Sequence, residues 1–166
     1  MNFEEGFLKD IVLRLQSYKD LGEKSFAQLN EADFFFHASP ESNNIAIIIQ
    51  HLHGNMMSRF TDFLTEDGEK PWRRRDEEFE PAECNKDSLL ALWHEGWSLV
   101  FNTISELKPD ELMKIISIRN EQLTIYDALL RSYAHISYHI GQIVFIGKMI
   151  KDKEWQSLSI PKRRKQ

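Results

Sequence analysis

The sequence contains a single cysteine, Cys84, among its 166 residues. An intramolecular disulfide is therefore excluded, which is typical of a protein in a reducing compartment. A zinc site built on several thiolates is excluded as well, so any metal site must use histidine, carboxylate or amide ligands. Cys84 has no histidine at the spacing of a catalytic motif, and we interpret it as an ordinary thiol.

Long apolar runs are also absent, since runs such as residues 45–49 stop at five residues. A membrane-spanning helix needs about 20 apolar residues, so we expect no membrane partner. The first ten residues, MNFEEGFLKD, lack the basic start and apolar stretch of a signal peptide, and we expect a cytoplasmic protein. Positive charge is not in excess, because the formal net charge is −5, and we expect no nucleic-acid partner.

Glycine and proline are scarce, with seven and five residues, and this scarcity favours long helices. Apolar residues make up 42% of the chain, enough for the ordinary core of one domain. Helical periodicity predicts four long helices, from about residues 3 to 29, 44 to 64, 86 to 107 and 125 to 151. Ser42 or Asn43 is expected to cap the second helix, and Thr124 the fourth.

The segments between these helices are of two kinds. The polar stretch TEDGEKPWRRRDEEFEPAECN is too long for a simple turn and predicts an ordered crossover or a functional loop. The β-branched pieces MKIISI and QLTI, around Arg119, Asn120 and Glu121, predict a short β-hairpin. We therefore predict an all-α fold, a four-helix bundle with a long crossover between helices 2 and 3 and a short hairpin before helix 4. Residues 1–155 would form its single domain, and residues 156–166 a basic tail.

The segment AHISYHIGQIVFIGK, residues 134–148, is mostly apolar yet carries two histidines. His135 and His139 are four residues apart, so they share one face of a helix, and Gln142 lies close to that line. Two imidazoles at this spacing can share one metal ion, although the glutamate of the HExxH protease motif is absent. The same spacing is also found in histidines that only pack at a core boundary, and that interpretation stays open.

A catalytic type of metal site needs a third protein ligand, and the second predicted helix offers two candidates in QHLHGN. His51 and His53 are two residues apart and diverge by about 200° on a helix, so at most one faces a given partner. His51 continues a polar line with Asn55 and Arg59. That line fits either a solvated face or a face turned toward His135, and periodicity does not separate the two.

Two long stretches carry a family resemblance, NNIAIIIQHLHGNMMSRFTDFLTEDGEKPWRRRDEEF and QLTIYDALLRSYAHISYHIGQIVFIGK. They resemble the DinB-like superfamily, most specifically in HLxGN and HxxxHxGQI, and the closer resemblance is to a bacterial branch of unassigned function. The resemblance implies a four-helix bundle with a crossover, often a homodimer, and a divalent metal, usually nickel or zinc. It implies three histidine ligands, which match His51, His135 and His139. Asn55 and Gln142 would then support those ligands or contact substrate.

The resemblance also bears on activity. Some members of the superfamily activate a low-molecular-weight thiol cofactor, as do the bacillithiol and mycothiol S-transferases, so it implies a small-molecule substrate and slightly favours a metal-dependent thiol transferase. A metal-bound water would instead give a hydrolase, and a non-catalytic, stress-associated metal-binding protein is a further hypothesis. Arg59 and residues 73–75 could bind a carboxylate or phosphate, although RRRDEE also fits a self-neutralising solvated loop.

Overall fold

The chain is mainly helical, and the computed structural model describes residues 2–80 and 83–160. These residues contain five α-helices and one antiparallel hairpin, which confirms the mainly helical prediction and the hairpin. The helices are α1 (Phe3–Phe26), α2 (Glu31–Phe34), α3 (Ile45–Phe60), α4 (Lys86–Glu106) and α5 (Ile125–Lys151). The strands are β1 (Ile115–Ile118) and β2 (Glu121–Thr124), and 3₁₀ helices cover Arg75–Phe79, Pro109–Glu111 and Asp152–Glu154.

Side-chain caps determine where the long helices begin. The side chain of Asn44 accepts a hydrogen bond from the backbone N–H of Ile47 at 2.8 Å, which satisfies one of the free donors at the start of α3. Thr124 caps α5 in the same way, as predicted. The cap of α3 is therefore Asn44, and the prediction of Ser42 or Asn43 was wrong by one or two residues.

Two helices end earlier than their apolar periodicity predicts. α1 stops three residues early, because Asn30 starts the separately capped helix α2. α3 stops before residue 64, because Thr61 turns to an extended conformation and Asp62 has a φ of 48°, outside the helical region. Leu29 and Phe63 lie beyond these ends and remain buried against the core, so the apolar pattern continues where the helix does not.

The helices share one core. α3 lies against α4 and α1 lies against α5, while α3 also contacts α5. Trp97 is fully buried and packs against Trp93, whose ring meets that of Phe26 edge-on, with 4.9 Å between the ring centroids. Because α3 and α5 are in contact, polar side chains on their facing sides can meet at the edge of this core.

The crossover from α3 to α4 is anchored to the hairpin through Asp67. Its carboxylate accepts hydrogen bonds from the hydroxyl of Ser117 and from the backbone N–H groups of Arg119 and Asn120, the last two at 2.8 and 2.9 Å. Arg119 and Asn120 both have positive φ, 55° and 62°, as a two-residue type I′ turn requires. The N–H of Gly68 adds a hydrogen bond of 2.8 Å to the carbonyl of Ser117. The crossover is therefore held in place on the hairpin.

The end of the chain also contacts the helices. Gln156, at the predicted boundary between the domain and its tail, exchanges hydrogen bonds of 2.8 and 3.1 Å with Gln28, just after α1. Residues 161–166 of the predicted basic tail lie outside the described residues, and the single-domain organisation stays a prediction. Within residues 2–80 and 83–160, no helix combines the length and the apolar character needed to cross a membrane.

Replacing Asp67 tests the anchor between the crossover and the hairpin. Asp67→Asn should lower the free energy of unfolding by about 1–3 kcal/mol, because several hydrogen-bond donors lose a charged acceptor and the neutral amide replaces it only in part. Urea denaturation measures the change. Asp10→Asn, on the exposed face of α1, is the control, and an equal loss in both variants would contradict the anchoring role.

The same anchor should weaken in acid. Burial raises the pKa of Asp67, but the hydrogen bonds from the Ser117 hydroxyl and from backbone N–H groups outweigh burial and hold it far below its usual 3.8. Because the pKa is lower in the folded state, this stabilisation is complete well above pH 3.8 and is lost as the pH falls below that value. The stability difference between the wild type and Asp67→Asn should shrink accordingly.

Candidate functional site

Three histidines from two contacting helices converge at the edge of the core. α5 places His135 and His139 one turn apart on the same face, and α3 contributes His51. The ring centroids lie 5.1 Å apart for His51 and His135, 4.8 Å for His51 and His139, and 4.7 Å for His135 and His139. One ligand nitrogen from each ring lies within 4.8 Å of the other two, so the cluster could hold a metal ion.

Oxygen acceptors orient two of the three rings. Oε2 of Glu78 lies 2.9 Å from Nδ1 of His51, and Oε1 of Gln142 lies 2.8 Å from Nδ1 of His139. An acceptor at Nδ1 places the proton on that nitrogen and leaves the Nε2 lone pair free, which is typical of metal-binding histidines. Nδ1 of His135 is buried and has no hydrogen-bond partner among residues 2–80 and 83–160.

Glu78 reaches the cluster from the 3₁₀ helix in the crossover. Arg73 holds its carboxylate with two hydrogen bonds, donated by Nε at 2.7 Å and Nη2 at 2.9 Å. The Arg73 side chain is only 2% exposed and that of Glu78 10%, so this bidentate pair is shielded from water. Arg73, Glu78 and His51 thus form a continuous line of hydrogen bonds from the crossover to α3.

Gly54 in α3 leaves the space that Glu78 occupies. A Cβ atom built on Gly54 would lie 2.7 Å from Cδ of Glu78, closer than such atoms approach in real structures. A larger residue at this position would therefore push the carboxylate away from His51. Steric contact with Glu78 thus explains the glycine in HLHGN, a residue that helix interiors ordinarily disfavour.

Burial keeps two histidines of the cluster, His135 and His139, neutral near pH 7. It lowers the pKa of His135 from 6.5 to about 3, and the charges of His139 and His51 add to this effect. Burial also lowers the pKa of His139 to about 4, although the hydrogen bond with Gln142 opposes the change. For Glu78, burial raises the pKa, but hydrogen bonds from His51 and the neighbouring guanidinium outweigh it and lower the pKa below 4.5. The cluster therefore combines the neutral imidazoles of His135 and His139 with the ionised carboxylate of Glu78 near neutral pH.

One pair of nitrogens in the cluster has the separation that a metal ion requires. Two nitrogen ligands of a tetrahedral ion, with bonds of about 2.0–2.1 Å, lie about 3.3 Å apart. The Nε2 atoms of His51 and His135 are 3.1 Å apart, close to that separation. Neutral imidazole is the form that binds metal, and the acceptors behind His51 and His139 aim their Nε2 atoms as such a site needs.

A cavity of about 420 Å³ lies beside the cluster, and His51 and His135 form part of its wall. Its wall is otherwise strongly basic, because α3, the crossover, the hairpin turn and α5 all contribute arginines. No carboxylate lines the cavity within the described part of the chain. The arginines are Arg59, Arg73, Arg75, Arg119 and Arg131.

The polar line predicted on α3 faces this cavity. Asn55 and Arg59 follow His51 along the helix, and all three line the wall. His51 is 5% exposed and Arg59 7% exposed, so the alternative of a solvated face does not describe them. Arg59 donates hydrogen bonds to the carbonyl of Gly68 and, at 3.1 Å, to Glu69.

The other sequence-based candidates separate into two groups. Gln142 contacts the cluster directly, through its hydrogen bond with His139. His53 lies outside the cluster, as its position two residues from His51 predicts, and Nε2 of His53 is 2.8 Å from Oε2 of Glu95 on α4.

Sequence reasoning missed Glu78 and left the role of Arg73 open. The stretch RRRDEE fitted either an anion-binding segment or a solvated loop, and Arg74 and Asp76 are exposed, as in a solvated loop. Arg73 and Glu78 are instead nearly buried, because the crossover folds back onto α3. The one signal available was the glycine in HLHGN, since a helical glycine often marks a close approach by another segment, but the sequence does not name the approaching residue.

The metal-free protein should become less stable in mild acid because of this cluster. The unfolded chain binds protons at His135 and His139 near pH 6.5, whereas the folded protein binds them only near pH 3 and 4. The unfolded state therefore holds more protons below pH 6.5, and the free energy of unfolding should fall as the pH drops toward 4. Urea denaturation and NMR titration of the ring protons measure both effects.

Two variants separate this effect from general acid sensitivity. His135→Gln should reduce the pH dependence, while His94→Gln, at a side chain that is 59% exposed, should leave it unchanged. A ring signal of His135 or His139 that titrates near pH 6.5 in the folded protein would contradict the prediction.

Comparison with known proteins identifies the family of this chain but not its activity. No curated protein and no solved structure matches the chain. The family model described as "Protein of unknown function (DUF1572)" matches residues 2–164, which include the three histidines, Glu78 and all of the arginines that line the cavity. Since the match covers nearly the whole chain, the protein belongs to this DUF1572 family.

Proposed function

We propose that this protein is a metal-dependent enzyme that binds one divalent metal ion through His51, His135 and His139. The observation that carries the proposal is the convergence of three imidazoles, two of them with Nδ1 bound to an oxygen acceptor. Zinc and nickel both suit a set of imidazole ligands. Three protein ligands leave a coordination position open, which is typical of catalytic sites and not of structural ones.

The proposal extends to the fold family. We propose that α1, α3, α4 and α5 form the four-helix bundle of the DinB-like superfamily. The order of the elements supports this proposal, since the crossover joins α3 to α4 and the hairpin precedes α5. The histidine distribution supports it as well, with one histidine on α3 and two on α5. The homodimer that the resemblance implies and the cytoplasmic location that we expect from the sequence stay predictions.

The reaction that we propose is the transfer of a low-molecular-weight thiol, of the bacillithiol type, to an electrophilic small molecule. The sulfur would form a bond to an electrophilic carbon while the bond from that carbon to a leaving group breaks. The leaving group would depart with the bonding electron pair, and the thiol proton would pass to solvent. A bound metal ion would supply the acidity that makes the thiol a thiolate. Glu78 and Gln142 would hold the His51 and His139 rings in position, and Asn55 would face the reactants from the cavity wall.

The lining of the cavity favours thiol transfer over hydrolysis. In metal-dependent hydrolysis, the attacking hydroxide still carries the second proton of the water molecule, which a general acid–base side chain usually transfers to the leaving group, and no carboxylate lines the cavity in the described residues. The histidines of the cluster are assigned as ligands in this proposal and are not available as bases. A thiol loses its single proton on binding and needs no further base, so the wall as it stands suits this chemistry.

Metal content tests the ligand set. Protein purified without a histidine tag or chelator should contain about one metal ion per chain by mass spectrometry. His51→Ala, His135→Ala and His139→Ala should each reduce the content to near zero, because two imidazoles bind a divalent ion far more weakly than three. His53→Ala is a matched control, since His53 is two residues from His51 but bonds to Glu95.

The outcomes distinguish the candidate functions. Wild-type protein that takes up no metal, even with added zinc or nickel, would refute the three-histidine site. If metal binds, turnover of a thiol with an electrophile that chelation abolishes would support the transferase. Chelator-sensitive hydrolysis of simple esters would instead identify a hydrolase, and metal without turnover would identify a non-catalytic binding protein.

Gly54→Ala tests the role of Glu78 without touching a ligand. The added methyl group should displace the Glu78 carboxylate from His51 and weaken metal binding by about 10–100-fold, as loss of a hydrogen bond behind a ligand typically does. Competition with a chromophoric chelator measures the affinity. Alanine favours helices over glycine by about 1 kcal/mol, so a general loss of helix stability is not expected.

The matched control is Gly141→Ala. A Cβ at Gly141 would have no atom within 4 Å among the described residues, and this glycine is in α5, the helix that carries the other two histidines. Equal metal affinity in Gly54→Ala and Gly141→Ala would show that the contact between Glu78 and His51 does not support the site.

A further inference from the structure

We propose that the substrate of this site carries an oxyanion, a carboxylate or a phosphate, and that the arginine wall of the cavity binds it. The inference rests on the proposed function in one respect, since it takes the bound molecule to be the substrate. The binding surface itself is formed by the protein's own side chains and does not require the metal ion. Because His51 and His135 line the same cavity, an anion held there would lie beside the histidine cluster.

The arginines form a deep part and a rim. The side chain of Arg73 is 2% exposed and that of Arg59 is 8% exposed, so these two lie at the buried side of the cavity. Arg75, Arg119 and Arg131 are about half exposed and form the rim. Since the five residues come from four separate segments, their convergence is a product of the fold and not of one basic stretch.

Arg73 carries a donor that the protein does not use. Its Nε and Nη2 bind Glu78, but its Nη1 is buried with no hydrogen-bond partner in the described residues. Oε1 of Glu69 lies 3.9 Å from Nη1, which is beyond hydrogen-bond distance. A buried charged donor without an acceptor is costly, and a ligand oxygen would supply the acceptor.

Two of the rim arginines, Arg75 and Arg131, are held loosely and are available to a ligand. Arg131 pairs with Glu121 at 3.1 Å, and Arg75 pairs with Asp76 at 3.6 Å. Both carboxylates are well exposed, and surface ion pairs of this kind contribute little, so a ligand can replace them at small cost. The planar guanidinium group can donate two parallel hydrogen bonds to the oxygens of a carboxylate or phosphate. A neutral substrate would not make use of its charge.

A purely structural role explains only some of these arginines. Arg59 and Arg119 both donate to Oε2 of Glu69, at 3.1 and 2.8 Å, and so tie α3 and the hairpin to the crossover. This clamp does not account for the free Nη1 of Arg73 or for Arg131, whose partner is an exposed glutamate. The wall therefore has more positive charge than its structural contacts require.

Calorimetric titration of the metal-free, full-length protein tests the proposal. Removing the metal first prevents the anions from binding to the ion itself. The probes are benzoate, phenyl phosphate and benzamide, the last being a neutral molecule of nearly the same shape as benzoate. Both anions should bind at least about tenfold more tightly than benzamide, and raising the ionic strength should weaken their binding.

Three variants locate the binding. Arg73→Lys keeps a charge beside Glu78 but removes the forked donor, and Arg131→Gln removes a half-exposed charge with little risk to the fold. Each should weaken the binding of at least one anion by about tenfold. Arg74→Gln is the matched control, since Arg74 stands between two cavity residues in sequence but is 77% exposed and outside the lining. Circular dichroism confirms that each variant is folded.

Each outcome decides the proposal. Tighter binding of phenyl phosphate would indicate a phosphorylated substrate, and tighter binding of benzoate a carboxylated one. Equal binding of benzamide and benzoate, no binding of either anion, or an equal loss in Arg74→Gln would overturn it.

Metal content, measured on samples of the same preparation before metal removal, separates this inference from the proposed function. If the anions bind but the untreated protein neither contains metal nor takes up zinc or nickel, the metal-site proposal fails and the anion-binding wall stands. If the untreated protein holds metal but no anion binds, the anion-binding proposal fails and the metal-site proposal stands.

Discussion

The hydrogen bond between Glu78 and His51 is the contact on which the geometry of the site depends. It joins the crossover to α3, and it exists only because Gly54 has no side chain and Arg73 holds the carboxylate from the other side. Breaking the contact would leave a buried carboxylate paired with Arg73 alone and would remove the acceptor at Nδ1 that orients the His51 ring. The position of the crossover and the aim of one imidazole are thus set by the same interaction.

Burial and positive charge act in the same direction at the cluster. Burial is the main reason that the pKa of His135 falls, and the nearby guanidinium groups of Arg73 and Arg59 lower it further. The arginine wall that we propose to bind an anionic substrate therefore also helps to keep the His135 imidazole unprotonated, which is the form that can bind a metal ion. The two proposals rest on one electrostatic environment, in which neutral imidazoles lie beside permanently charged guanidinium groups.

The features that the sequence alone determined are local ones. The spacing of His135 and His139 places both on one face of a helix, and Thr124 starts that helix as its capping chemistry predicts, because both effects act within one or two turns. The hairpin followed from its β-branched pieces and turn residues. Helix ends were less predictable, since buried apolar residues such as Leu29 continue the periodic pattern beyond the helix.

Tertiary structure decided everything that joins distant segments. Of the candidates in the sequence, it turned His51, Asn55 and Arg59 toward the cavity, a choice that periodicity left open. It also buried Arg73 and Glu78, which belong to a stretch whose adjoining positive and negative charges also fitted a solvated loop. Charge pattern reports only how neighbouring residues could neutralise each other, whereas burial depends on the helix against which the loop folds, and that contact has no local signature.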